Sequence, residues 1–425
     1  MIPANKKIVY VSRDIERALG LTPAENYLIV SNKTPYSQRI HKQYPDSVIL
    51  IENPNGEIFG TTELLGHEIT KKIISDLKTK VADSADQTSD EPFILVFKNT
   101  LRVESVIKAN NWKVLNPPSN LAERVENKLS QIRWLGEIGT KYLPSHAAKV
   151  SKQIVWKNDP FIIQWAHGHT GDGTLLVRNR EDLTAIQEKF PERMARLSTF
   201  IAGPSFTVNA IVAAEKIMMG NISYQITGLP PFTDNEFSTI GNDWGLAKKL
   251  LTAENLQTIS KIVEEIGNKL RTDGWRGLFG VDLIREEKTN KIYLIEVNAR
   301  QPASTTFEST LQDKVRRGRP IGLTTFEAHL RALLGLPIDQ DLVAIEDGAQ
   351  IVQRATKNIQ SIFDDVAGSL ELAGYEVVSY ENTTENADLI RIQSKESIME
   401  GHGILNAKGR EIAEIIKTSR CNLQV

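Results

Sequence analysis

IYLIEVNARQ (residues 292–301) sets Ile292, Leu294, Ile295 and Val297, the makings of a buried strand, among Glu296, Asn298 and Arg300. Side chains alternate across a strand, so Glu296, Asn298 and Arg300 are expected on one face and Ile295, Val297 and Ala299 on the other. Burying an unpaired carboxylate is costly, so Glu296 needs a cation, a set of donors, or water in a cleft. Just upstream, GLFGVDLIREEKTNK is a second apolar run with one embedded acid, Asp282. A hairpin turning at EEKTN places Asp282 opposite or nearly opposite Glu296, with Asn298 on the same face. Two carboxylates and an amide oxygen are hard ligands suited to Mg2+, which keeps some waters and completes its shell with substrate phosphates. The alternative is a set of surface ion pairs with Arg285, Arg300 or another base.

A second constellation is FIIQWAHGHTGDGTLLV (161–177), a glycine-containing loop between apolar runs. Gly168, Gly171 and Gly173 allow successive N–H groups to curl around phosphate oxygens, and Thr170 and Thr174 add hydroxyls. A simple hairpin has the same appearance. The loop fits neither GxxxxGK[ST] nor GxGxxG between strand and helix. His167 and His169 have the spacing of a zinc pair, but no third ligand follows nearby, so they read as polar loop residues beside a phosphate site. Neither a GxSxG elbow nor HExxH occurs, which leaves hydrolase readings without a motif.

The chain has 425 residues, enough for about three domains. Lys plus Arg (51) nearly balance Asp plus Glu (53), so the net charge of -2 gives no general affinity for nucleic acid or anionic lipid. One cysteine, Cys421, excludes an internal disulfide and a cysteine-rich metal site, and a reducing cytoplasm fits best. MIPANKKIVYVS lacks the pattern of a signal peptide, and no apolar run approaches the roughly 18 residues of a membrane helix.

Along residues 1–125, runs such as KIVYVS, NYLIVSN, SVILIEN and FILVFKN alternate with helical segments, which predicts a parallel α/β unit. ADSADQTSDEP (82–92) is expected as an exposed loop. LAERVENKLSQIRWL predicts one amphipathic helix through Leu121, Val125, Leu129, Ile132 and Leu135. Hairpin-like strands follow over about 150–215, with helices predicted over 180–190, 253–271 and 324–334. Residues 346–425 alternate strands and helices in a smaller unit, with Arg354 on the strand-like AQIVQRA.

Taken in order, the helix with Lys128, the glycine-containing strand-loop-strand, STFIAGPSFTVNAIV, GVDLI and YLIEVNAR resemble the ATP-grasp superfamily over roughly residues 1–345. The resemblance implies α/β and α+β architecture: an N-terminal parallel α/β domain (1–125), a two-lobed ATP-grasp domain (126–345) and a small C-terminal α+β cap (346–425). It implies Asp282, Glu296 and Asn298 as ligands of Mg2+, or of Mn2+ in its place, and Arg300 as the residue contacting a transferring phosphate. Lys128 would approach the phosphates from its helix, and the main chains of Thr199 and Ile201 would read adenine, with Gly203 turning the chain. Gln164, His167, Gly168, Thr170, Gly171, Gly173 and Thr174 would complete the ATP site. Three positions depart from the pattern: Gln164 stands for the second lysine, Ser198 for the hinge glutamate and Ser205 for the ribose-binding acid. They put nucleotide choice and affinity in question more than the fold.

The expected activity is an ADP-forming ligase that activates a carboxylate as acyl-phosphate for attack by an amine, both small molecules. A bicarbonate-activating carboxylase-like enzyme and a non-enzymatic ATP-binding protein on the same scaffold are the alternatives. Neither nucleic acid nor membrane is expected as a partner, and family members are often homodimers. Acceptor contacts are expected in NEFSTIGNDWG, where Asn242, Asp243 and Trp244 offer hydrogen bonds and a stacking surface.

Overall fold

The apolar runs of the N-terminal third form a five-stranded parallel sheet: β1 (Ile8–Ser12), β2 (Tyr27–Asn32), β3 (Val48–Ile51), β4 (Phe93–Leu95) and β5 (Lys113–Val114), in the order β3-β2-β1-β4-β5. β1 and β2 are buried along their whole length, which is why they read as continuous apolar runs rather than alternating ones. The strand order reverses between β1 and β4. At such a switch point the carboxyl ends of neighbouring strands diverge, and here Arg17, beyond β1, sets its guanidinium 5.5 Å from the ring of Phe97, beyond β4. The computed structural model describes residues 2–82, 91–166, 173–317, 321–357, 359, 364–382 and 384–418.

A four-stranded antiparallel sheet follows, built from β6 (His146–Val150), β7 (Phe161–Trp165), β8 (Thr174–Val177) and β9 (Met194–Thr199) in the order β6-β9-β7-β8. The helix Arg180–Lys189 accompanies it, and Ile163, Trp165, Val177, Leu183 and Ala195 form its small core.

The largest sheet has eight strands. β10 (Ser205–Val212), β11 (Ile217–Thr227), β12 (Thr239–Asp243), β13 (Gly277–Arg285) and β14 (Ile292–Asn298) join β15 (Ala349–Arg354), β16 (Glu376–Ser379) and β17 (Asp388–Ser394) in the order β14-β13-β10-β11-β12-β15-β17-β16. Within the segment 226–245, whose Pro and Gly residues read as a loop, β12 pairs with β15 and carries the sheet on into the C-terminal strands. The helix Ala253–Thr272, started by a capping box at Thr252, lays Ile259, Ile262, Val263, Ile266 and Leu270 on one face of this sheet. Phe279, Val281, Leu283, Leu294 and Val297 meet it from the strands. The opposite face of β10, β13 and β14 is thereby left for polar side chains.

The local structure differs from the sequence expectation in three other places. The single helix through 121–135 is two helices, Ser119–Glu126 and Lys128–Leu135, because the Asn127 side chain accepts from the N–H groups of Leu129 and Ser130 and starts a new helix there. Ile295 does not share the face of Val297 and Ala299: the pairing passes from Asp282↔Glu296 to Leu283↔Leu294, which makes Ile295 a bulge residue. The bulge keeps Leu294 and Val297 on the core side even though three positions separate them. Trp244 is buried against Phe307 at 1% exposure and offers no stacking surface.

Gln301 joins the parallel sheet to the end of β14. Its N–H donates to Phe97 O at 3.0 Å, its Nε2 to Arg17 O at 2.7 Å, and its Oε1 accepts from Tyr10 at 2.7 Å. Among the described residues no helix is long and apolar enough to cross a membrane.

Candidate active site

Asp282 and Glu296 are direct cross-strand partners, and Asn298 faces Gly280 two pairs along the same ladder. Asn298 Nδ2 donates to Asp282 Oδ2 at 2.9 Å, which leaves the Asn298 amide oxygen for another partner. Thr207 on β10 and Gln225 on β11 each donate to Asp282 Oδ1 at 2.8 Å. Burial, and next the charge of Glu296, push Asp282 up to about 6 despite the donors from Thr207 and Asn298. Burial is the larger cause of that rise and the Glu296 charge the next, so a cation placed here would favour the ionised carboxylate. The donor chemistry of Asp282, Glu296 and Asn298 is hard oxygen and suits Mg2+ or Mn2+. Among the described residues no group of three or more His, Cys, Asp or Glu side chains forms a metal cluster, so this mixed carboxylate-amide set differs from a zinc site.

Lys128, at the first position of its helix, forms an ion pair with Glu296. Its backbone N–H donates to Ala166 O at 3.0 Å, so the end of β7 and the start of this helix are held together. Arg300 is not left open toward the cleft alone: its Nη1 lies 2.5 Å from Glu126 Oε1, and Lys98 binds the other oxygen of the same carboxylate. Burial works against the charge of Arg300, but Glu126 and Glu296 outweigh it and hold its pKa above the ordinary arginine value. Burial likewise opposes the Glu126 charge, and Arg300 and Lys98 reverse it, so its pKa falls below the ordinary glutamate value.

These groups line a cleft of about 200 Å³ that also touches Arg17, Thr174, Asn242, Arg354, Asp388 and Arg391. Its far wall is cationic. Arg354 Nε lies 3.5 Å and Arg391 Nη2 3.8 Å from opposite oxygens of Asp388, and Arg391 Nε donates to Tyr380 Oη at 3.0 Å. The cleft therefore has an acidic end at β13–β14 and a basic end at β15–β17.

The structure thus brings Asp282, Glu296, Asn298, Arg300, Lys128 and Thr174 to one cleft. Gln164 sits beside them on β7, with Nε2 3.3 Å from Thr174 Oγ1. At the hinge the Thr199 N–H is already donated to Ser145 O at 2.9 Å. Gly203 adopts φ +149, with Arg285 O where a Cβ would stand. His167, Gly168, Thr170 and Gly171, with His169, lie outside the described residues; Gly173 is the first residue after them and accepts the Trp165 N–H at 3.1 Å. Of the acceptor-loop residues, Asn242 reaches the cleft, whereas Asp243 caps the helix Trp244–Leu250 and binds Ser397 and the N–H groups of Ile398 and Met399.

Sequence reasoning missed Arg17, Glu126, Arg196, Thr207, Gln225, Asp388 and Arg391. Arg196 had a signal: in ARL it alternates with Ala195 and Leu197, so on a strand it must leave the core face. Arg391 had a similar one inside DLIRIQ. Glu126, 174 residues from Arg300, had none.

Residues 125–304 match the ATP-grasp domain family. No curated protein matches the sequence. Among solved structures, the fold is similar to an ADP complex of N5-carboxyaminoimidazole ribonucleotide synthetase, purK (TM-score 0.62, 14% identity, 98% of this chain and 97% of that one). It is similar to the Aspergillus clavatus N5-carboxyaminoimidazole synthase bound to ADP and 5-aminoimidazole ribonucleotide (TM-score 0.59, 14% identity, 99% of both chains). It is also similar to an L-amino acid ligase from Bacillus licheniformis (TM-score 0.60, 14% identity, 97% of both chains).

Proposed function

Residues 125–304 belong to the ATP-grasp domain family, and from that premise we propose that this chain is an ATP- and Mg2+-dependent ligase that joins a small carboxylate to an amine through an acyl-phosphate. The observation that carries the reading is the meeting of Asp282, Glu296, Asn298, Lys128 and Arg300 in one cleft. Asp282, Glu296 and Asn298 would hold Mg2+, whose charge would offset that of the ATP phosphates.

The chain's own residues supply the rest. Lys128 holds Glu296 in place and presents positive charge to the phosphates from the N-terminus of its helix. Arg300, kept protonated by its pairing with Glu126, stabilises negative charge as the phosphoryl group moves to the carboxylate. Thr207 and Gln225 orient the Asp282 carboxylate. The main chains of Thr199 and Ile201 would meet adenine at the hinge, with the Thr199 N–H already engaged by Ser145 O. The basic end of the cleft, with Arg17, Arg354 and Arg391, suits a substrate carrying a carboxylate or phosphate away from its reacting group. The same reading divides the chain at 1–125, 126–345 and 346–425, the last segment acting as a cap that supplies Arg354 and Arg391 to that basic end.

The test is ADP release by purified protein with Mg2+ and ATP, screened against pooled amino acids and other carboxylates with and without amines, and against bicarbonate. Release that requires both a carboxylate and an amine, and is lost in Glu296→Gln, supports the ligase. Release driven by bicarbonate alone identifies the carboxylase-like alternative. Magnesium-dependent ATP binding without release under any condition favours the binding protein, and failure to bind ATP with Mg2+ overturns the reading altogether.

A further inference from the structure

Where the four-stranded sheet reaches the cleft at Thr174, a row of cross-strand partners leads away from it. Thr174 on β8 faces Gln164 on β7, and Gln164 faces Arg196 on β9, so the three side chains share one side of the sheet. Thr174 lines the cleft, and Gln164, bonded to it, carries no charge. Arg196 does, and at 1% exposure it is among the largest fully buried side chains of the chain.

Arg196 reaches across from the small lobe to β14, where Nη1 donates to Ile295 O at 3.1 Å. Ile295 is the bulge residue immediately before Glu296. A guanidinium has five N–H donors, yet Arg196 Nε is buried without a partner. Its charge is attracted by Glu296, whose carboxylate is engaged with Lys128. Burial pulls the Arg196 pKa down to about 10, so the folded chain bears a cost for holding this charge here.

Capping an edge carbonyl does not explain that cost. Two residues along the same edge, the Val297 carbonyl is capped at 2.9 Å by Gln131, a neutral amide. A glutamine at 196 could serve Ile295 in the same way. What a guanidinium adds is positive charge and a planar fork matched to phosphate oxygens.

We propose that Arg196 supplies, from β9, the second positive charge of the nucleotide phosphate subsite, beside Lys128 and in the place where Gln164 offers only an amide. This rests on the reading of the cleft as an ATP site. The charge has been moved one strand across the same sheet face, to a buried position behind the Thr174 wall of the cleft, from which it acts on the phosphates through space beside Lys128.

The experiment is calorimetric titration of MgATP, MgADP and AMP into wild type, Arg196→Gln, Arg196→Lys and the double variant Arg196→Gln/Gln164→Lys, with thermal melting to verify folding. Arg196→Gln is expected to weaken MgATP about tenfold or more while AMP stays within about twofold, since the lost charge acts on the outer phosphates. The double variant, which returns the charge to β7, recovers MgATP affinity to within about fivefold of wild type. A folded Arg196→Gln that binds MgATP as wild type does leaves Arg196 as an edge cap and overturns the proposal. If Arg196→Gln does not fold, Arg196→Lys decides: affinity within about fivefold supports a charge role, and a larger loss overturns it. Wild type that fails to bind MgATP at all refutes the ATP reading itself, an outcome distinct from intact binding that ignores Arg196.

Discussion

Asp282 and Glu296 face each other directly across β13 and β14, and their partners are divided: Lys128 pairs with Glu296, while Thr207, Gln225 and Asn298 serve Asp282. Burial, and next the charge of Glu296, leave Asp282 raised to about 6, so holding its carboxylate ionised near neutral pH comes at a cost to folding. Replacing one with a neutral amide should therefore relax the fold and disable the site. Asp282→Asn is expected to match or exceed wild type in melting temperature at pH 7.5, while ATP turnover drops about 100-fold or more. Parallel melting curves and ADP assays check both halves. Lower stability with intact turnover would show the pair to be structural.

Asn127 is where one predicted helix becomes two, and its side chain is the cap on which Lys128 is placed. Asn127→Ala should cost about 0.5–2 kcal/mol in urea unfolding. MgATP affinity should fall in the same variant, because the first turn that presents Lys128 frays. A stability loss with unchanged MgATP affinity would remove Lys128 from the nucleotide site.

Gly203 joins β9 to β10 at φ +149, and a Cβ built there would stand 2.0 Å from Arg285 O. Backbone rather than a flexible side chain blocks the space, so Gly203→Ala must shift the hinge against β13. We expect destabilisation of roughly 2–4 kcal/mol by chemical denaturation. A loss below about 0.5 kcal/mol, the range of ordinary surface changes, would mean that the hinge has another conformation in solution.

His329 accepts the Leu278 N–H at 3.0 Å, and burial pulls its pKa from 6.5 down to about 3. Between those values the unfolded chain holds the extra proton, so this group's contribution to native stability is present above about pH 6.5 and is lost as pH falls toward 3. His329→Gln keeps an acceptor without a titrating group in that window. Relative to the variant, wild type should lose about 3 kcal/mol between pH 7.5 and pH 4, at roughly 1.4 kcal/mol per unit below the unfolded value. Urea midpoints of both proteins across that range test it, and parallel curves would show that His329 titrates normally.

The legible part of the fold and site was the part encoded over short distances. The period-two pattern of residues 280–300 put Asp282, Glu296, Asn298 and Arg300 on one face, and the hairpin through EEKTN set the two acids opposite. The 3.6 period placed the helices Arg180–Lys189, Ala253–Thr272 and Thr325–Leu333 to within a residue or two. The order of these elements was enough to suggest the ATP-grasp fold, which the match over residues 125–304 and the structural neighbours bear out.

Tertiary structure alone decided the rest. Alternation cannot reveal that Ile295 is a bulge, because Leu294, Ile295 and Val297 are equally apolar and the register depends on which of them the helix Ala253–Thr272 covers. Nor can it reveal that Glu126 and Lys98 hold Arg300, that Arg196 crosses to β14, or that β12 pairs with β15 and so brings Arg354 and Arg391 to face the acids. Those contacts join residues far apart in the chain, and a charge has no periodicity that names its distant partner. Sequence determined which face each acid occupies; packing determined which cations came to meet it.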